Sequence, residues 1–249
     1  MHTAALAACG LGDWQYLALP LPPELFAETV RALGGAGFRG VNVTIPHKQA
    51  ALALADEASD AAREIGAANT LTFEPGGIAA ENTDAPGLIE ALPAGFDPAG
   101  RRALVLGAGG AGRAAVWALL RAGAEVEVWN RTAARAQALA AEFGARAVLR
   151  PEAAELVVNC TSVGLDHNID PFKAIPLKAD TFEVGSCVID MVYGQGHSRL
   201  LEAAERRGAR VVDGLEVLVA QGAASFERWT GRTAPRQAMR EAVRTSPIT

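Results

Sequence analysis

Two short stretches of the chain carry side chains and glycines with a chemical purpose. In Gly107-Ala108-Gly109-Gly110-Ala111-Gly112, the glycines have the G-x-G-x-x-G spacing. The first permits a tight turn, the second lets backbone N–H groups approach a pyrophosphate, and the third allows close helix-to-strand packing. Further on, Asn130-Arg131-Thr132, with Arg135 one helical step beyond, offers two guanidinium groups and a hydroxyl. NAD binders usually hold a ribose-binding acid at this point, whereas a nearby arginine accommodates a 2′-phosphate. The fork therefore predicts NADP, seated on a helix N-terminus where unpaired N–H groups favour an anion. The bland alternative, a solvated arginine pair at a helix start, sets cations against the helix dipole.

The second stretch is Asn42-Val43-Thr44-Ile45-Pro46-His47-Lys48. Asn42 and Thr44 occupy alternate positions of an extended segment and so point the same way. Pro46 ends that segment and starts a helix expected to run to Ser59, with Lys48 in its first turn. The positive end of a helix disfavours an ammonium, which suits a group that must give up and take back a proton. A solvated surface lysine is the competing reading. Asp84 precedes Ala85-Pro86 and a helix through Leu92, a setting in which an N-cap role is sufficient for it.

The elements that position these residues read as α/β. Ala103 to Leu106 is a short apolar run suited to a strand buried on both faces, Arg113 to Ala122 has one apolar helical stripe, and Glu125 to Asn130 is a second strand. Together they make a βαβ unit around the glycine loop. Further strands are expected at 145–149, 156–160, 186–190 and 210–212, with a helix at 197–208 and a solvated loop at 166–184. Ahead of this lie a helix at 3–9, a strand from Trp14 to Leu19, and a helix from Glu24 to Leu33 with Leu25, Phe26, Thr29, Val30 and Leu33 on one face. A strand from Phe38 to Ile45 follows, then strands meeting in a hairpin at Gly76-Gly77. Helices at 215–229 and 235–244 close the chain.

Half of the 249 residues are apolar, a fifth are charged, and the net charge is −5. That balance gives no broad basic surface for nucleic acid or an anionic membrane. Cys9, Cys160 and Cys187 are odd in number and lack C-x-x-C spacing, so neither a disulfide framework nor a zinc site is indicated, and a reducing cytoplasm fits. Cys160, at the end of an apolar strand, reads as a small buried hydrophobe. Asp166, His167 and Asp170 lack a fourth ligand, so no metal site is expected.

The order of motifs resembles that of shikimate dehydrogenases. Asn42 to Lys48, Gly66 to Thr70, Asn82 to Gly87, the Gly107 loop and Asn130 to Arg135 carry the likeness. Asn159 to Gly164, Asp190 to Tyr193, Asp213 to Gln221 and Trp229-Thr230-Gly231 continue it over nearly the whole chain. The resemblance implies two α/β domains with the active site in the cleft between them. One is a Rossmann domain at 85–214, and the other a substrate domain with a mixed sheet at 1–84 plus 215–249.

It further implies NADP-dependent interconversion of 3-dehydroshikimate and shikimate, a step of chorismate and aromatic amino acid biosynthesis. Lys48 and Asp84 would be the catalytic pair, and Thr44, Asn69, Tyr193 and Gln221 would hold the substrate. Gly107, Ala108, Gly109, Gly110, Ala111, Asn130, Arg131, Thr132, Arg135, Thr161, Met191 and Gly214 would contact the cofactor, with Asp60 at a position near it. The resemblance admits a homodimer. It begins at Met1-His2, after the strand and Ser-x-Ser-Pro segment with which family members bind the substrate carboxylate, as in an N-terminally shortened member. A quinate/shikimate dehydrogenase relative and a catalytically weak NADP-binding paralogue stay open on sequence.

Overall fold

The computed structural model describes residues 1–152, 154–164, 170–192 and 197–245. They form two compact units, one of Met1–Gly87 with residues 219–245 and one of Leu88–Leu218. Each unit has its own sheet and its own apolar core.

The first unit opens with α1 (His2–Ala8) and α2 (Pro23–Gly35), where Pro23 fills the first helical position at no hydrogen-bond cost. Phe26, Val30 and Leu33 face the core. Leu25, expected beside them, is exposed because it lies about 100° round the helix from Phe26. Then come β1 (Gly40–Asn42), α3 (Lys48–Leu54), β2 (Glu57–Ala58), α4 (Asp60–Ile65), β3 (Thr70–Glu74), β4 (Gly77–Glu81) and α5 (Asp84–Glu90). The sheet runs β1-β3-β4-β2, with β3 antiparallel to both β1 and β4 and β2 parallel to β4, so it is mixed. Val30, Ala51, Leu54, Leu71 and Ala80 meet in its core.

Two expectations fail here for one reason, that pairing outranks side-chain pattern. Trp14 to Leu19 forms no strand among the described residues, and Tyr16, Leu17 and Leu19 are exposed. Its alternation found no neighbouring ladder. The helix expected to reach Ser59 stops at Leu54, where Ala55 turns extended. Asp56 then pins the chain to β4, its N–H donating to Ile78 O at 2.9 Å and its carboxylate accepting the Ile78 N–H at 2.8 Å.

The second unit comprises β5 (Arg102–Leu106), α6 (Gly110–Arg121), β6 (Glu125–Trp129), α7 (Ala133–Phe143), β7 (Arg146–Ala147), β8 (Leu156–Asn159), α8 (Pro171–Ala174), β9 (Cys187–Asp190), α9 (Arg199–Arg206) and β10 (Arg210–Val212). All strand pairs are parallel, in the order β10-β9-β8-β5-β6-β7. This is a doubly wound sheet, with Val105, Val158 and Ile189 in the core on one face and Leu104, Val157 and Val188 in the core on the other. The described part of 166–184 is not a solvated loop. It forms α8 and a 3₁₀ turn at Ala179–Thr181, and Ile175, Leu177 and Phe182 are buried in the second core. Their irregular spacing hides them from a search for periodicity. Asp166 and His167 lie outside the described residues.

The chain ends with α10 (Gly214–Thr230) and α11 (Arg236–Thr245), the latter packed against α1. From Val219 onward α10 belongs to the first unit, where the Trp229 Nε1–H donates to Leu71 O at 3.1 Å.

Candidate active site

Three segments of the first unit converge on one polar cluster. The β3–β4 ladder pairs Thr70 with Glu81, so Asn69, just before β3, lies beside Asn82 and Thr83, just after β4. The start of α3 joins them, because the Ala68 N–H donates to Lys48 O at 2.9 Å. Lys48 Nζ stands 2.7 Å from Asp84 Oδ2, and the two side chains are only 12% and 7% exposed. Asp84 Oδ1 accepts from Asn69 Nδ2 at 2.9 Å.

Asp84 is not the cap of α5. Asn82 Oδ1 takes the Ala85 N–H at 3.2 Å, and Asn82 Nδ2 donates to Ala67 O at 2.9 Å. The asparagine two positions earlier satisfies the helix start, which leaves the Asp84 carboxylate to Lys48 and Asn69.

Asn69, 2% exposed, is fixed on both sides. Its Oδ1 accepts from the Thr83 N–H at 2.7 Å, and its Nδ2 also reaches Thr83 Oγ1 at 3.0 Å and Gln221 Oε1 at 3.2 Å. The Thr83 backbone donor identifies that oxygen, so Nδ2 must face Asp84. Thr70 Oγ1 links this cluster to Asn42 Nδ2 at 3.4 Å, and Asn42 Oδ1 accepts from Tyr16 Oη at 3.0 Å. Stacked on Tyr16 at 4.3 Å is the His2 ring. Burial, then the adjacent N-terminal ammonium, pushes the His2 pKa down to about 4, against a hydrogen bond with Asn42 that pulls it up.

Lys48, Asp84, Asn69 and Gln221 are therefore brought together. Thr44 is exposed at the side chain, and its carbonyl accepts the His47 N–H. Asp60 opens α4, exposed and paired with Arg63 at 3.0 Å. Tyr193 lies outside the described residues.

In the second unit the glycine loop joins β5 to α6. Gly107 has φ +107°, a left-handed value that disfavours a side chain, and a Cβ on Gly112 would stand 2.1 Å from Gly107 O. A Cβ on Gly109 would meet nothing within 4 Å, so that backbone faces open space. Gly110 and Ala111 form the first turn of α6, and the Ala108 N–H is held by Asn130 Oδ1 at 3.2 Å. Asn130 Nδ2 in turn donates to Thr132 O at 3.0 Å, which fixes the turn that presents Arg131 and Arg135. Both arginines are exposed, and among the described residues no carboxylate pairs with either. An open glycine backbone beside two uncommitted guanidinium groups fits a phosphorylated dinucleotide. Thr161 borders the loop, its Cγ2 being 3.2 Å from where a Gly107 Cβ would lie. Cys160 is partly buried, with its Sγ 3.4 Å from Met191 Sδ.

Comparison with known proteins bears on both units. The model of the shikimate dehydrogenase substrate binding domain matches residues 1–71, that of shikimate/quinate 5-dehydrogenase matches 93–162, and that of the shikimate 5′-dehydrogenase C-terminal domain matches 214–244. Shikimate dehydrogenase (NADP(+)) of Thermus thermophilus is 48% identical over 246 residues, which are 98% of this chain and 91% of the relative. The chain belongs to the shikimate dehydrogenase family. The Moorella thermoacetica shikimate dehydrogenase (NADP(+)) is 41% identical, with 98% and 87% covered. A crystal structure of shikimate 5-dehydrogenase from Thermus thermophilus in complex with NADP(H) and shikimate has 46% identity and a TM-score of 0.88, covering 98% of this chain and 92% of that one.

Within the family's first matched span lie Lys48 and Asn69, within the second the Gly107 loop, Arg131, Arg135 and Thr161, and within the third Gln221. Asp84 falls between the first two and is tied to the cluster by its hydrogen bonds. Thr83, buried at its centre, carries no role in the sequence reading. Its signal was its place between Asn82 and Asp84, where a strand end exposes successive backbone and side-chain donors.

Proposed function

We propose that this chain catalyses the reversible, NADP-dependent reduction of 3-dehydroshikimate to shikimate. The observation that carries the reading is the buried Lys48–Asp84 pair, oriented by Asn69, in a chain that also presents the Arg131/Arg135 fork beside an open glycine loop. Bound NADP supplies the hydride acceptor for the oxidation of shikimate and the donor for the reverse.

Removing a hydride from the carbon of a secondary alcohol leaves the hydroxyl proton to be taken away. Lys48 Nζ, as the neutral amine, takes it in the oxidative direction and becomes the ammonium; that ammonium returns the proton to the carbonyl oxygen in the reductive one. Asp84 Oδ2 holds the ammonium at 2.7 Å, and Asn69, through Oδ1 of the same carboxylate, stops that acceptor from turning away. Gln221 Oε1 and Thr83 Oγ1, both on Asn69 Nδ2, supply the polar edge to which further substrate hydroxyls bind. Arg131, Thr132 and Arg135 would hold the 2′-phosphate, and the N–H groups from Gly109 to Ala111 would take the pyrophosphate.

The direct test is to mix the purified protein with shikimate and NADP and follow NADPH absorbance. Formation of NADPH with NADP well above that with NAD supports the reading. Binding of NADPH with no turnover of shikimate overturns it.

A further inference from the structure

Asp190 at the end of β9 is, among the described residues, the most deeply buried carboxylate in the second unit, 0% exposed, and the reaction as derived above does not use it. We infer that Asp190 is a positioning residue for the cofactor site, holding by hydrogen bonds the loops that carry Thr161, Met191 and Gly214. The inference rests on the NADP reading of this unit and assigns to Asp190 no contact with the cofactor.

Three donors from three segments converge on this one carboxylate. Oδ1 accepts from Asn159 Nδ2 at 2.8 Å and from the Val192 N–H at 3.1 Å, and Oδ2 accepts from Ser198 Oγ. Asn159 is its register partner on β8, 1% exposed, and relays the constraint. Asn159 Oδ1 accepts from both the Thr161 N–H at 3.1 Å and Thr161 Oγ1 at 2.7 Å, while its Nδ2 also donates to Val163 O. Thr161 is the residue that borders Gly107.

On the other side, the Val192 N–H contact fixes the turn through Met191. A Cβ on Gly214 would lie 2.8 to 2.9 Å from Val192 O, Asp190 O and Met191 C, so the start of α10 rests directly on that turn. All of this lies at the carboxyl ends of parallel strands, where open α/β sheets bind ligands. Burial raises the Asp190 pKa, and the hydrogen bonds from Ser198, the Val192 N–H and Asn159 oppose that shift without cancelling it.

The competing role is that Asp190 merely anchors α9 through Ser198, whose Oγ caps that helix by accepting the Leu201 N–H at 3.3 Å. Titration calorimetry with NADPH on Asp190→Ala, Asp190→Asn and Ser198→Ala separates the two, with thermal melts confirming folded protein. Asp190→Ala leaves Asn159 Nδ2 and the Val192 N–H without an acceptor, and its NADPH affinity is expected to fall roughly 10- to 100-fold. Asp190→Asn keeps an oxygen for those two donors and an amide for Ser198 Oγ, so it should restore affinity to within a few-fold. Ser198→Ala should lower the melting temperature and leave NADPH affinity unchanged.

Wild-type affinity in folded Asp190→Ala, or equal losses in Asp190→Ala and Ser198→Ala, would overturn the positioning role while leaving the NADP reading intact. A wild-type chain that does not bind NADPH would overturn both. If Asp190→Ala does not fold, the same role must appear in Asn159→Ala, which keeps Asp190 and Ser198 but cuts the relay to Thr161. Unchanged NADPH affinity there would overturn the inference.

Discussion

Around Lys48 every functional side chain is committed before any ligand arrives. Asp84, Asn69, Thr83 and Gln221 hold one another at 2.7 to 3.5 Å, and Asn69, Thr83 and Asp84 are at most 5% exposed. Around Arg131 the reverse holds, with two exposed guanidinium groups that have no carboxylate partner among the described residues. The difference fits the roles proposed for the two regions. A group that moves a proton must be aimed, and aiming requires its neighbours to be locked in low-dielectric surroundings. An anion site has only to wait, since its ligand brings the countercharge and solvent keeps the arginines soluble meanwhile.

Substitutions should therefore separate the two regions by kinetic signature. Asp84→Ala removes the acceptor that aims Lys48, and kcat should fall about 10²- to 10⁴-fold, as for loss of acid–base function, with the affinity for NADPH unchanged. Stopped-flow or steady-state assays read this, and an effect confined to KM would remove the case for aiming.

The next effect is on stability. His2, in the unit that holds the committed cluster, has a folded pKa of about 4 against 6.5 when exposed. Because the unfolded chain then binds the extra proton, stability is complete above the unfolded pKa of 6.5 and is lost as pH falls toward 4. A shift of this size is worth roughly 3 kcal/mol. Urea melts at pH 7 and pH 4.5, compared with those of His2→Gln, measure it. An equal acid loss in the variant would show that other groups dominate.

Arg131→Ala should raise the KM for NADP about 10- to 100-fold, the equivalent of one charge-assisted hydrogen bond, with kcat and the weak use of NAD little altered. A parallel fall with NAD would mean that Arg131 holds the fold of the turn and not a 2′-phosphate. Smallest is Thr83→Val, which keeps the backbone donor to Asn69 Oδ1 and loses only the hydroxyl. About 1 kcal/mol, or a few-fold in kcat/KM for shikimate, is expected.

The same contrast governs what the sequence discloses. The Gly107 loop and its flanking strands were legible because turn, phosphate approach and helix packing each demand glycine locally, and the apolar run 103–106 is buried on both faces. Arg131 was legible because it stands where an acid would otherwise be. The cluster around Lys48 is legible only through the family resemblance, since spacing alone leaves its members as isolated letters. Its members are up to 173 positions apart, Lys48 to Gln221, and only the ladder between β3 and β4 brings Asn69 beside Thr83.

For the same reason local spacing leaves a helix-cap role sufficient for Asp84, a role that Asn82 fills in the structure. Trp14 to Leu19 misled in the opposite sense, since its pattern was right for a strand but a strand exists only through its neighbour.

The most direct test of this division of labour is Lys48→Ala, assayed for turnover of shikimate with NADP and for NADPH binding by calorimetry on the same preparation. The account predicts that turnover is abolished while NADPH binds as it does to the wild type. Turnover that persists within about tenfold of wild type, below the usual contribution of a positioned acid–base group, would contradict it.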